Sequence, residues 1–176
     1  TFTGFNTINL SSQDGDIDKN TNTAPQHKFL GGTVFNNSTA ITATLLGKGG
    51  FDFGKVSNNI GVTINGGNLA GSVKADLTSI NLDNPFSIVG GLGNDTFRVG
   101  AEPRSDVAVV TSTNDRTSID GGAGGIDKIV IAGNYNPQSD AALEGIDVIE
   151  FDQLVNAITQ VNLANQTGEN FVVNGT

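Results

Sequence analysis

Gly90-Gly91-Leu92-Gly93-Asn94-Asp95-Thr96-Phe97, echoed by Gly121-Gly122-Ala123-Gly124-Gly125-Ile126-Asp127-Lys128-Ile129, is the stretch whose reading decides the fold. Each is a glycine-rich turn that ends in an aspartate, with an apolar residue two places further on. Glycine permits tight turns with positive φ and leaves backbone carbonyls accessible, while aspartate adds a hard anionic oxygen. Oxygens of this kind suit calcium, which takes about six to eight of them. One turn supplies too few, so a second must stack on it, and Phe97 or Ile129 must point inward to begin the strand that fixes the stacking. Two such turns make one interlayer site. Its expected side-chain ligands are Asp95 and Asp127, backed by Asp120 and by the carbonyls of Gly91, Gly93, Gly122 and Gly124.

The first stretch fits the nonapeptide G-G-x-G-x-D-x-U-x, with U a large apolar residue, at Gly90, Gly91, Gly93, Asp95 and Phe97. The second fits it with one extra residue, Gly125, ahead of Asp127 and Ile129. Residues 90–98 thus resemble a repeat of the RTX, or haemolysin-type, calcium-binding proteins, with 121–130 as a degenerate copy. Leu143 to Phe151, LEGIDVIEF, is similar to the segments that often follow such repeats. The resemblance implies a right-handed parallel β-roll that folds on export as it meets external calcium. It does not extend to residues 1–60. In the family two nonapeptides form a turn of about eighteen residues. Here the double glycines at 66, 90 and 121 are spaced by 24 and then 31 residues, so the turns must be longer or carry insertions. One or two ions are expected, not a row.

A weaker repeat points to the same architecture. An apolar residue, one spacer and a double glycine recur as Ile64-Asn65-Gly66-Gly67, Ile88-Val89-Gly90-Gly91 and Ile119-Asp120-Gly121-Gly122. If these stack, Asn65, Val89 and Asp120 lie beside one another on successive strands. Short alternating apolar runs bounded by Gly, Asn and Asp predict strands at Phe2–Leu10, Thr33–Phe35, Ala40–Leu46, Val62–Ile64, Ser72–Leu82, Ser87–Val89, Thr96–Val99, Val107–Thr111, Lys128–Ile131, Asp147–Phe151, Ile158–Leu163 and Phe171–Val173. The one helical candidate is Ser139–Leu143, with Pro137 upstream and Gly145 as its stop. The expected fold is all-β: a parallel β-solenoid or β-roll-like unit over 61–176, and a Thr/Asn-rich β segment over 1–60 that forms an arm or cap.

Composition narrows the function. At 176 residues the chain suits one domain, and it has no cysteine, so a secreted protein of this kind would be stiffened by a metal or by assembly. No run approaches the length of a membrane span, and no signal-peptide core is present, which reads as a mature or trimmed form or a fragment. The net charge of −9 is uneven: residues 1–94 hold six acids and five bases, residues 95–176 twelve acids and four bases. So acidic a C-terminal half repels itself until cations bind, and it excludes nucleic acid, which needs clustered Lys and Arg.

Other chemistry is thinly represented. His27 is the only histidine and no G-x-S-x-G elbow surrounds a serine, so a hydrolase triad is not expected, and zinc lacks its usual N/S ligands. Asp14, Asp16 and Asp18 imitate the start of an EF-hand loop, but Lys19 stands where the turn glycine belongs. Gly91 to Thr96 imitates a dinucleotide loop, but Thr96 replaces the third glycine. Asp147, Glu150 and Asp152 are near enough in sequence for glycosidase-like pairs, although residues two apart on a strand share a face chiefly for stacking or ion binding. The expectation is a secreted, non-enzymatic, calcium-stabilised structural protein of a bacterial surface layer, filament or matrix. It would self-associate into a homopolymer, with a cell-surface polysaccharide as a further partner. The alternatives are an accessory calcium-binding module of a larger secreted protein or adhesin and, third, a carbohydrate-acting β-helix enzyme.

Overall fold

Apolar residues at alternate positions make most strands one-sided, and the structure buries that side. In β4 (Ile41–Gly47), Ile41, Ala43 and Leu45 are buried while Thr42 and Leu46 face solvent. The computed structural model describes residues 1–12, 26–81, 84–100, 117–133, 135, 143–152, 161–164 and 170–174. Before β4 come β1 (Thr7–Ser12), β2 (Gln26–Lys28) and β3 (Thr33–Phe35). After it come β5 (Gly50–Asn58), β6 (Val62–Leu69), β7 (Val73–Asp76), β8 (Phe86–Val89), β9 (Thr96–Val99), β10 (Thr117–Asp120) and β11 (Lys128–Ile131). The last three are β12 (Leu143–Glu144), β13 (Val148–Phe151) and β14 (Val172–Asn174). No helix occurs among the described residues. Of the candidate helix at 139–143, residues 139–142 lie outside them, and Leu143 belongs to β12.

The strands form two sheets, ordered β1-β4-β6-β8-β10-β12 and β14-β13-β11-β9-β7-β5-β2, with β3 also on β5. Every strand pair is parallel. From β4 to β13 the chain alternates between the sheets, so from β6 onward each strand pairs with the one two places before it. The protein is therefore all-β and built of parallel sheets. Inward residues of both enter one hydrophobic core, with Ile64, Ile88 and Ile119 in register on one side and Ala75, Phe97, Ile129 and Ile149 on the other. The same register sets Asn65 beside Val89 and Val89 beside Asp120, as the repeat of an apolar residue and double glycine requires.

The N-terminal strands belong to these same sheets. β1 pairs with β4, and β2 and β3 pair with β5, so sheet pairing and core both continue across residue 60, where the composition changes. Aromatic rings close that end of the core: Phe2 stacks on Phe35 with centroids 5.4 Å apart, and Phe29 on Phe53 at 5.2 Å. Two strands differ from expectation for reasons written in their glycines. β5 reads as a loop because Gly50 and Gly54 interrupt it, yet Gly54, at φ +59°, makes a bulge that shifts the register between Asp52 and Lys55 and lets the strand continue. β6 runs through Gly66-Gly67 to Leu69, where a turn is expected after Ile64. The short β2, β10 and β12 lack an alternating pattern long enough to recognise. The run from Ser72 is a strand only over β7, the strand expected at 107–111 lies outside the described residues, and of the expected 158–163 strand Val161 makes an isolated parallel bridge to Tyr135.

At the ends of the six-stranded sheet the backbone of one turn touches that of the next. A Cβ on Gly90 would stand 2.1 Å from the carbonyl oxygen of Gly121, and one on Gly121 2.0 Å from that of Gly145. Neither contact leaves room for a side chain. Gly61 is different, since its added Cβ would make ordinary contacts of 3.5 Å with Ala40 and 3.7 Å with Pro85. Gly121→Ala should therefore cost about 3 kcal/mol or more and Gly61→Ala no more than about 1 kcal/mol, measured by urea unfolding. Equal losses would show that close stacking of the turns does not hold the strands in place.

Candidate functional site: stacked glycine and aspartate turns

Residues 90–95 carry the chain from β8 to β9, and residues 121–127 carry it from β10 to β11. Both turns cross from the six-stranded to the eight-stranded sheet, so the alternating topology puts them side by side. Thr96 pairs with Lys128 and Lys128 with Val148, which brings Asp95, Asp127 and Asp147 into one column just before the paired residues. Phe51 pairs with Val73 further along the same column. The column thus changes from apolar to acidic where the glycine-rich turns begin.

Each aspartate carboxyl reaches the backbone of the strand before it. Asp147 Oδ2 accepts the Asp127 N–H at 2.8 Å, and Asp127 Oδ1 accepts the Asp95 N–H at 2.8 Å. Asp95 Oδ1 accepts the Val73 N–H, and its Oδ2 accepts the N–H of Gly91 at 2.9 Å. Asn94 adds a parallel tie by accepting the Ile126 N–H at 3.0 Å. Asp95 is fully buried and Asp127 is 2% exposed, so their oxygens supply acceptors that water cannot.

Burial has an electrostatic cost. Desolvation pushes the Asp95 carboxyl up to about 7, against the pull of the Val73 N–H and with the added repulsion of Asp127. Asp127 is raised too, chiefly by burial, while the Asp95 N–H and side chain pull it back and the charges of Asp147 and Asp120 push it further.

The structure gathers the expected site residues, but in different roles. Asp95 and Asp127 are neighbours in the buried column. Asp120 sits half-buried, with Oδ1 accepting the Gly122 N–H at 2.8 Å, much as Asn65 Oδ1 accepts the Gly67 N–H at 3.0 Å. The carbonyl oxygens of Gly91 and Gly93 lie against the backbone of Gly122 and Gly125, and Gly124 is exposed. Asp147 belongs to the column as well. Its signal is the spacing Asp147-Val148-Ile149, the same aspartate, spacer and large apolar residue as Asp95-Thr96-Phe97 and Asp127-Lys128-Ile129.

Calcium requires about six to eight converging oxygens. Both oxygens of Asp95 face N–H donors instead, and among the described residues no three carboxylate or imidazole groups converge as a metal cluster. This donor set does not fit a calcium ion held directly by Asp95. It fits a ladder in which carboxyls satisfy buried amides. Comparison with known proteins adds no relative: no family model matches the chain, and neither a curated protein nor a solved structure matches it.

The ladder has a definite pH signature. A carboxyl whose folded value is raised holds its proton in the folded state while the unfolded chain has lost it, so stability is full below the ordinary value near 3.8 and falls as pH rises through about 7. In EGTA the melting temperature should fall between pH 5 and pH 8. Asp95→Ala, which strands the Val73 and Gly91 N–H groups, should cost about 2 kcal/mol or more whether or not calcium is present. A melting temperature that rises with calcium in the parent chain but not in Asp95→Ala would restore Asp95 as a ligand.

Proposed function

We propose that this chain is a secreted, non-enzymatic structural protein whose two sheets wind as a parallel β-solenoid, and that it serves as a subunit of a bacterial extracellular assembly such as a surface layer, filament or matrix. The observation that carries the reading is the strand order: among the described residues both sheets are wholly parallel and end in outer strands, β1 and β12 in one, β2 and β14 in the other. An outer strand offers a row of backbone N–H and C=O groups to a further strand. Because all strands run the same way, the β14 end of one copy presents the direction that the β2 end of the next requires. Such a head-to-tail contact does not close on itself, and it repeats as a filament. Val172 and Val173 on β14 are 59% and 56% exposed, which supports that end as a contact surface.

Calcium enters this reading as a counter-ion for the acidic C-terminal half and not as an ion clasped between Asp95 and Asp127. The same β14 edge supports a second reading, a module on which further strands of a larger secreted protein or adhesin would be laid. Electron microscopy and light scattering of the purified chain, in calcium and in EGTA, separate the two. A subunit should form ordered polymers alone, and Val172→Lys with Val173→Lys should return it to monomers. A chain that stays monomeric at every concentration in both buffers would eliminate the subunit and leave the module.

A further inference from the structure

The outer face of the six-stranded sheet carries a feature that the turns do not use. Parallel register sets Thr7, Thr42, Thr63, Ser87 and Ser118 in one row across β1, β4, β6, β8 and β10. Adjacent strands lie about 4.8 Å apart, so a hydroxyl recurs at about that interval along the row. Ser118 Oγ donates to Ser87 Oγ at 2.9 Å, which shows neighbouring hydroxyls within bonding reach. One side of the row is bordered by Ala40, Gly61 and Pro85. Together with Thr42, Thr63, Ser87 and Ser118 these residues line a shallow groove of about 300 Å³, at the lower end of the range for ligand sites.

The chemistry of the groove selects its occupant. Among the described residues no charged side chain lines it, although the chain carries a net charge of −9. Those lining residues offer an anionic ligand no cation and a metal ion no carboxylate. An apolar segment would strip water from the hydroxyl row and return no hydrogen bond. A neutral polyol both donates and accepts, so it can replace the water on each Thr or Ser hydroxyl. A row of evenly spaced hydroxyls beside an apolar border also favours a ligand that repeats, with hydroxyls on one edge and C–H groups on its faces.

We propose that this groove binds a linear neutral polysaccharide, lying across the strands with its hydroxyls on Thr42, Thr63, Ser87 and Ser118 and its ring C–H faces on Ala40, Gly61 and Pro85. The proposal rests on the extracellular reading only for where such a glycan is met, and it holds for a single copy as well as for a polymer.

Affinity electrophoresis and calorimetry with soluble hydroxyethylcellulose and dextran as neutral glucans, and alginate as the acidic counterpart, provide the test. At least one neutral glucan should retard the chain and alginate should not. Thr63→Val and Ser87→Ala should each weaken binding about threefold to tenfold with unchanged melting curves. Thr44→Val, on the same sheet face but outside the groove, should bind as the parent does. No retardation by either neutral glucan, equal retardation by alginate, or parental affinity in a folded Thr63→Val, Ser87→Ala double variant would each overturn the proposal. Ordered polymers that bind no glucan would sink the groove alone, and glucan-binding monomers would sink the subunit alone.

Discussion

The fold depends on turns that can lie against one another with no side chain between them. Parallel strands about 4.8 Å apart bring successive turns into backbone contact, and there a Cβ has no room. Gly90, Gly121 and Gly145 meet in that way. The close approach buries backbone amides that have no ladder partner, and the aspartate at the end of the turn supplies the missing acceptor. Glycine and aspartate therefore answer one problem from two sides: the first lets the turns approach, and the second satisfies what the approach conceals.

That division has an electrostatic consequence. Burial strips water from the carboxyls that serve these amides, and their charges repel along the column, so Asp95 holds its proton far above the ordinary range, and Asp127 is raised beside it. The outer face of the eight-stranded sheet manages charge differently. Arg98 pairs with Asp76 at 3.1 Å and Asp152 at 2.6 Å, and Lys128 pairs with Glu150 at 3.1 Å, all partly exposed. Those pairs contribute modestly because water already solvates them, whereas the buried column acts through amides that have no alternative.

The two sheets present their surroundings with different surfaces. The eight-stranded sheet is laced with opposite charges, while the six-stranded sheet offers a neutral row of hydroxyls. At the sheet ends, the Phe2, Phe29, Phe35 and Phe53 rings close the core beside β3, and β14 leaves valines exposed. Apolar surface is exposed near the N-terminal end as well, at Phe5, Leu30 and Val34.

Much of the architecture is legible in the residues themselves. Alternation predicts Thr33–Phe35, Thr96–Val99 and Lys128–Ile131 to the residue, and the recurrence of Ile, spacer and double glycine anticipates the alignment of Asn65, Val89 and Asp120. β5 is missed because Gly54 looks like a break when it is a bulge. The grouping of Asp95 with Asp127 is also legible, since the motif repeats with its aspartate and apolar residue in step. What surrounds a carboxyl is not. Spacing brings Asp95 to a turn, but only the register of β7 against β9 decides that the Val73 amide lies on its oxygen, so that an expected metal ligand faces a hydrogen-bond donor. The sequence alone determined strands, turns and their periodic stacking, because these follow from local sterics and alternation. The tertiary structure decided what those carboxyls bind and where hydroxyls form a row, because both depend on contacts between strands more than twenty residues apart.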